Sequence, residues 1–159
     1  MRVADMCGEA WPRKMRSRGD RPAQSHLSNI APQDHNVNSG VWNEIENTVR
    51  GFACADEAVL VATGPFITNK VFKTIGKSKV AVPDGFYKVV YCASKQKMIG
   101  FIVPNRPLKG KPKQFVVSVD EVEKLTGYDF FRHVPQPLQD RLEAASDPSL
   151  WNWSRKRGR

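Results

Sequence analysis

Val41, Trp42, Ile45, Val49, Phe52 and Ala53 recur at spacings of three and four through residues 38–55, the apolar stripe of a helix laid on a core. Asn38 or Ser39 is placed to cap its start. Past residue 56 the period changes. Residues 57–63 (EAVLVAT) form a short apolar run, closed by the turn signal Gly64-Pro65. Residues 79–82, 85–93 (GFYKVVYCA) and 97–103 (KMIGFIV) are β-branched and aromatic, and the polar link at 94–96 predicts a hairpin between the last two. KGKPK at 109–113 reads as a basic loop and 114–117 as a further strand. Ser118 with Glu121 three residues on is a capping-box pattern, starting a short helix that stops at Gly127. A last amphipathic helix is predicted over 137–145, with Leu138 and Leu142 inward. Residues 1–25 show no sustained period. The pattern predicts an α+β fold, an antiparallel sheet with packed helices. It divides into an irregular basic arm (1–25), one domain (26–145) and a basic C-terminal tail (146–159).

Length and composition narrow this picture. With 159 residues, 40% apolar and 26% charged, the chain suits one compact soluble domain with a real core. No run approaches the ~20 apolar residues of a membrane span, so no membrane partner is expected. The N-terminus has no apolar h-region and is no secretory signal as it stands. Cys7, Cys54 and Cys92 show no CxxC spacing, which argues against a disulfide framework or a zinc knuckle and leaves a lone bridge open. Cys54 and Cys92 sit on apolar segments and read as small core residues. The net charge of +9 is uneven: residues 70–113 hold eleven Lys/Arg against the single acid Asp84. A polyanion partner is favoured, with this segment as its footprint, although a solvated lysine-rich face has the same composition.

The chemistry concentrates in residues 28–50, SNIAPQDHNVNSGVWNEIENTVR. Asn29, Gln33 and Asn38 fall in irregular chain before or at the helix start, and Glu46 and Arg50 follow on the helix. Asn38, Trp42, Glu46 and Arg50 are each four apart and so share one side of it. An amide oxygen, a carboxylate and a guanidinium near a helix start suit a hydrated Mg2+ and a phosphate, because Mg2+ takes oxygen ligands and keeps most of its waters. A straight helix separates Asn38 from Glu46 by about 12 Å along the axis, so a shared site needs Asn38 outside the helix or a bridging water. Ordinary readings stand beside these. Asn38 serves as an N-cap, Glu46 and Arg50 form an exposed ion pair worth about 0.3–0.5 kcal/mol, and Asn29 and Gln33 satisfy loop backbone.

The SNIAPQ segment followed by NSGVWNEIENTVR resembles the metal-binding segment of the DNA/RNA non-specific endonucleases, within the ββα-metal superfamily. Further matching pieces follow in order: Thr63-Gly64-Pro65, Val82-Pro83, Phe86-Tyr87-Lys88, Phe101-Ile102-Val103-Pro104-Asn105, Val119-Asp120-Glu121-Val122-Glu123, and Leu125-Thr126-Gly127-Tyr128-Asp129-Phe130-Phe131. They cover roughly residues 4–143. The resemblance implies Asn38 as direct metal ligand, with Mg2+ or alternatively Mn2+ as the ion. Glu46 would anchor a water on that ion, Arg50 would neutralise charge on the phosphate in the transition state, and Asn29 and Gln33 would brace the site or touch substrate. Lys109, Lys111 and Lys113 are candidates for phosphate contacts, which carry little sequence information; a solvated loop is the simpler reading of them.

In the family a histidine of an Asp-Arg-Gly-His motif removes the proton from the attacking water. Here Ala4-Asp5-Met6 matches the segment that follows that motif, so the sequence as it stands is expected to lack the general base and to be N-terminally truncated. Among the other histidines, His26 and His133 read as packing or surface residues, and only His35, between Gln33 and Asn38, lies near the site. The implied function is Mg2+-dependent, sugar-non-specific hydrolysis of phosphodiester bonds in DNA and RNA, as part of a longer protein. The alternative is a homologue that binds nucleic acid without turnover. A third reading, from another class, is a basic interaction protein that reuses the fold without metal. Missing N-terminal strands would leave an uncovered sheet edge, favouring a homodimer or aggregation. Family members are secreted, periplasmic or mitochondrial, which leaves the compartment of this chain open.

Overall fold

The apolar stripe at 38–55 does form a helix, but one that starts earlier and bends. In the structure, a computed structural model that describes residues 2–4, 30–56 and 58–153, the cap is Asp34 rather than Asn38 or Ser39. Its Oδ1 accepts the backbone N–H groups of Asn36 (2.9 Å) and Val37 (3.3 Å), two of the donors a helix start leaves unpaired. Ser39 Oγ instead donates back to His35 O (2.7 Å). Helical turn α1 (His35–Val37) passes into a wider π-helical turn at Asn38–Trp42, and α2 (Asn43–Asp56) completes the element. Gly40 leaves helical geometry inside that turn (φ −98°, ψ −113°), so residues 35–56 are not one straight helix. Turns of this kind concentrate at functional sites.

The strands are β1 (Arg2–Ala4), β2 (Val59–Phe66), β3 (Thr74–Ile75), β4 (Val80–Ala81), β5 (Gly85–Cys92), β6 (Lys97–Pro104) and β7 (Val116–Val117). Five pair antiparallel in the order β1-β2-β5-β6-β7, while β3 and β4 form a separate ribbon. The hairpin expected at 94–96 joins β5 to β6, with Cys92 opposite Lys97. Two features differ from the sequence reading. β2 runs straight through Gly64-Pro65, pairing Pro65 with Phe86; Pro65 lies beyond the stretch that β1 covers, and a proline is tolerated along a sheet edge. β1 lies within the stretch read as an irregular arm, where three residues are too few to show a period. It covers β2 over Val59–Val61, and beyond that the outer edge of β2 has no strand partner among the described residues.

Alternation along β5 separates two cores. Phe86, Val90 and Cys92 face α2, packing with Val41, Trp42, Ile45, Val49 and Phe52. Tyr87, Val89 and Tyr91 face the opposite side, against α3 (Val119–Thr126) and α4 (Gln136–Ala144). The Ser118–Glu121 box caps α3 as expected, Ser118 N donating to Glu121 Oε2 (2.9 Å) and Glu121 N to Ser118 Oγ (3.2 Å). Gly127 ends the helix at φ +72°, where a glycine carries no steric penalty.

Residues 148–153 are not simply a polar tail. Trp151 is buried, 4.6 Å from the Phe52 ring, and Trp153 meets the same ring edge-on at 5.2 Å. Lys97, buried on the α2 side, pairs with buried Asp56 (Nζ–Oδ2 2.6 Å) and donates to Leu150 O (2.8 Å). Its ammonium also lies 4.2 Å from the Trp151 ring. One charge cluster thus joins α2, the β5–β6 hairpin and the C-terminal segment.

Candidate metal and phosphate site

Asn105, just past β6, fixes the segment leading into α1. Its Oδ1 accepts from Asp34 N (2.7 Å), and its Nδ2 donates to Pro32 O and Pro83 O (3.0 Å each). The chain before the helix is thereby held against the end of β5. Asn38 follows within the π-helical turn. Its backbone N donates to Asp34 O (2.9 Å), and its exposed side-chain amide has no hydrogen bond among the described residues.

Trp42, buried, ends that turn, and half-buried Glu46 and exposed Arg50 follow on α2 at intervals of four. Glu46 and Arg50 do not form the expected i,i+4 pair. Arg50 Nη1 donates to Asn47 Oδ1 (2.8 Å) instead, and the Glu46 carboxylate takes no hydrogen bond or ion pair among the described residues. Against this face stands Lys88, a residue to which sequence reasoning gave no role. It occupies a position of β5 that points at α2, between Phe86 and Val90, and is 6% exposed. Its Nζ lies 4.8 Å from the centroid of the Trp42 ring and forms no ion pair among the described residues. Burial pushes the Lys88 pKa down; attraction to Glu46 works against this, and repulsion from Arg50 adds to it. A lysine on the core-facing parity of a strand was a signal available in the sequence. A buried cation costs several kcal/mol unless it is paired.

The remaining predicted residues are placed as follows. Asn29 lies outside the described residues, as do His26 and Cys7. Gln33 is half-buried, with its Nε2 enclosed and without a hydrogen-bond partner among the described residues. Lys109, Lys111 and Lys113 are all exposed. They lie beside a 3-10 turn (Pro112–Phe115) that contacts α2, and Lys113 Nζ rests 5.0 Å from the Trp153 ring. The single acid of residues 70–113 is occupied: the Asp84 carboxylate accepts from the backbone of Thr68 (2.7 Å) and Asn69 (3.2 Å), and from both side chains. The bond from the Thr68 backbone is the largest cause holding its pKa low. His35 is exposed beside Asn38, and His133 stacks edge-on against Phe131, away from α2. Cys92 is fully buried and Cys54 half-buried. Asn38 in the π-helical turn and Glu46 and Arg50 on α2 offer an amide oxygen, a carboxylate and a guanidinium, and Lys88 faces α2 from β5; these are donor types for a hard cation and partner types for an anion.

A helix laid across one face of an antiparallel sheet, with two more helices on the other face, defines an α+β protein. The chain belongs to the DNA/RNA non-specific endonuclease family, whose model matches residues 5–137. It is 34% identical over 155 residues to human "Nuclease EXOG, mitochondrial", covering 82% of this chain and 42% of that protein. Human "Endonuclease G, mitochondrial" is 29% identical over 123 residues, covering 69% and 41%. A nuclease of Serratia marcescens is 29% identical over 132 residues, covering 79% and 50%. Among solved structures, a chain from a crystal structure of the EndoG/EndoGI complex superposes with a TM-score of 0.63 at 30% identity, covering 70% of this chain and 51% of that one. The antiparallel sheet with packed helices is thus the ββα-metal nuclease-like fold. The chain spans half or less of the length of these curated relatives.

Proposed function

We propose that the chain acts in metal-dependent hydrolysis of phosphodiester bonds in DNA and RNA, with the face from Asn38 to Arg50 as its site. The observation that carries this reading is charge without internal partners: a carboxylate at Glu46 and a buried ammonium at Lys88, each without an ion pair among the described residues. Such groups cost stability and persist where a ligand uses them. An amide oxygen and a carboxylate fit Mg2+ or Mn2+, which need few protein ligands. A bound ion of this kind supplies Lewis acidity at the leaving oxygen.

This chain's own groups do the rest. The Asn38 amide oxygen would hold the ion directly, and Glu46 would anchor a water on it. Arg50 has one donor on Asn47 and directs others to the phosphoryl oxygens, where charge builds in the transition state. Lys88 adds a second fixed positive charge beneath them. Gln33 and Asn29 brace the site or touch substrate, and Lys109, Lys111 and Lys113 add salt-dependent phosphate contacts. His35 is the nearest described imidazole for proton removal. A second reading is binding of nucleic acid without turnover.

Plasmid and RNA cleavage by the full chain in Mg2+, against EDTA and Asn38→Ala, tests both readings. Cleavage lost by at least about 100-fold in either control supports hydrolysis at this site. A folded sample that retains nucleic-acid binding but cuts neither polymer supports the second reading. Absence of both binding and cleavage overturns both.

A further inference from the structure

On the opposite side of the sheet from α2, three carboxylates converge without an ion-pair partner among the described residues. Asp120 and Glu123 on α3 and Glu143 on α4 each bring one oxygen to within 4.8 Å of the others. Asp120 and Glu123 are half-buried, which leaves the cluster open to solvent on one side. Glu143 is 4% exposed, and its enclosed Oε1 has no hydrogen-bond partner among the described residues. The nearby polar groups are already engaged. Glu123 Oε1 accepts from Phe130 N (2.7 Å). Gln139 Nε2 donates to Asp129 Oδ1 (2.8 Å) and Phe130 O (3.1 Å). Arg132 pairs with Asp129 (3.4 Å) rather than with the cluster.

A buried carboxylate among like charges is tolerated only if it is neutralised, by a proton or by a cation. Burial is the largest cause pushing the Glu143 carboxyl up to about 7; a hydrogen bond with the Gln139 side chain opposes it, and the charges of Glu123, Asp120 and Asp129 add to it.

We propose that Asp120, Glu123 and Glu143 bind a hard, calcium-sized divalent cation that ties α3 to α4, at a site separate from the α2 face. The spacing admits that ion: ligands at roughly 2.4 Å from Ca2+ lie no more than about 4.8 Å apart, a bound that these three oxygens meet. The half-buried rim leaves room for waters to complete the coordination. The ion would clamp the two helices over the core formed by Tyr87, Tyr91, Phe130 and Phe131. None of this depends on the nuclease reading.

The test is calorimetric titration of CaCl2 into the full chain at pH 7.5 after EDTA dialysis, with melting curves in parallel. The expected result is one-site binding and a melting temperature raised by about 5–10 °C at ~100-fold excess over Kd. Asp120→Asn, at a half-exposed position that keeps the fold, and Glu143→Gln should each weaken Ca2+ binding at least tenfold, while Asn38→Ala leaves it unchanged. No heat and no shift overturns the proposal. So does a shift that is lost in Asn38→Ala but survives in Asp120→Asn and Glu143→Gln. A Mg2+ shift equal to that of Ca2+ overturns the calcium-sized assignment.

Discussion

Replacing Lys88 by methionine should stabilise the fold and weaken nucleic-acid binding in the same variant. The side chain occupies a position of β5 whose neighbours on that face, Phe86 and Val90, are core residues. The residue is 6% exposed, and its ammonium has no ion pair among the described residues. Methionine has a similar length and adapts to irregular gaps. Removing buried ions in favour of packed apolar groups commonly stabilises by about 1–4 kcal/mol. Here the Trp42 ring, 4.8 Å from Nζ, already returns about 0.5–2 kcal/mol. The net gain should be about 1–2 kcal/mol, or roughly 2–8 °C for a chain of this size.

The pH dependence has a definite sign. The folded-state pKa of Lys88 is lowered from 10.5, so above the folded value the unfolded chain binds more protons. Stability therefore rises as pH climbs from the folded value toward 10.5, and the methionine variant loses that slope. Binding should move the other way. Loss of one phosphate contact should lower the slope of log K against log salt by about 0.9 and cost about tenfold in affinity. Urea titration with Trp fluorescence and anisotropy of a labelled duplex in EDTA measure both quantities. A destabilised variant whose affinity and salt slope are unchanged would refute the placement of this ammonium for phosphate.

Asp56→Ala strands the Lys97 ammonium and should cost about 3–5 kcal/mol, most of it recovered when Lys97→Met is added, as a urea double-mutant cycle would show. Burial opposes ionisation of Asp56, but the bonds from Lys95 and Lys97 outweigh it and hold its pKa below 3.8. Its contribution is present above 3.8 and is lost as pH falls through the lower folded value. Glu143 has the opposite sign. Raised to about 7, it contributes fully below 4.5 and loses that contribution as pH rises through 7, so in EDTA Glu143→Gln should flatten the stability profile between pH 5 and 8. Asn105→Ala removes one accepted and two donated bonds; it should cost about 2–3 kcal/mol and speed amide exchange at Asp34 before the sheet opens. If the open β2 edge pairs with a second copy, light scattering should give a dimer mass, and a monomer at micromolar concentration would refute that pairing.

Several elements were legible because their signals are local. The stripe from Val41 to Ala53 needs only the helical repeat, the Ser118–Glu121 box closes within three residues, and the β5–β6 hairpin is written in two strands and a short link. The start of α1 was misplaced because Asp34, Asn38 and Ser39 are all competent caps, and the Asn105 clamp decides among them from 71 residues away. β2 ran past its turn signal because whether a proline breaks a strand depends on which side of the sheet is an edge. Trp151 lay in a segment with no period, so its burial was invisible until α2 and β6 supplied its contacts.

The sequence by itself determined the α+β class, the helix carrying Asn38, Glu46 and Arg50, and the excess of positive charge, since each is a property of residue type and short-range spacing. Tertiary structure alone decided that Lys88 stands under that helix, that Arg50 turns to Asn47 instead of Glu46, and that Asp120, Glu123 and Glu143 crowd one another across α3 and α4. These are matters of distance between segments and of desolvation. Periodicity along a chain carries neither.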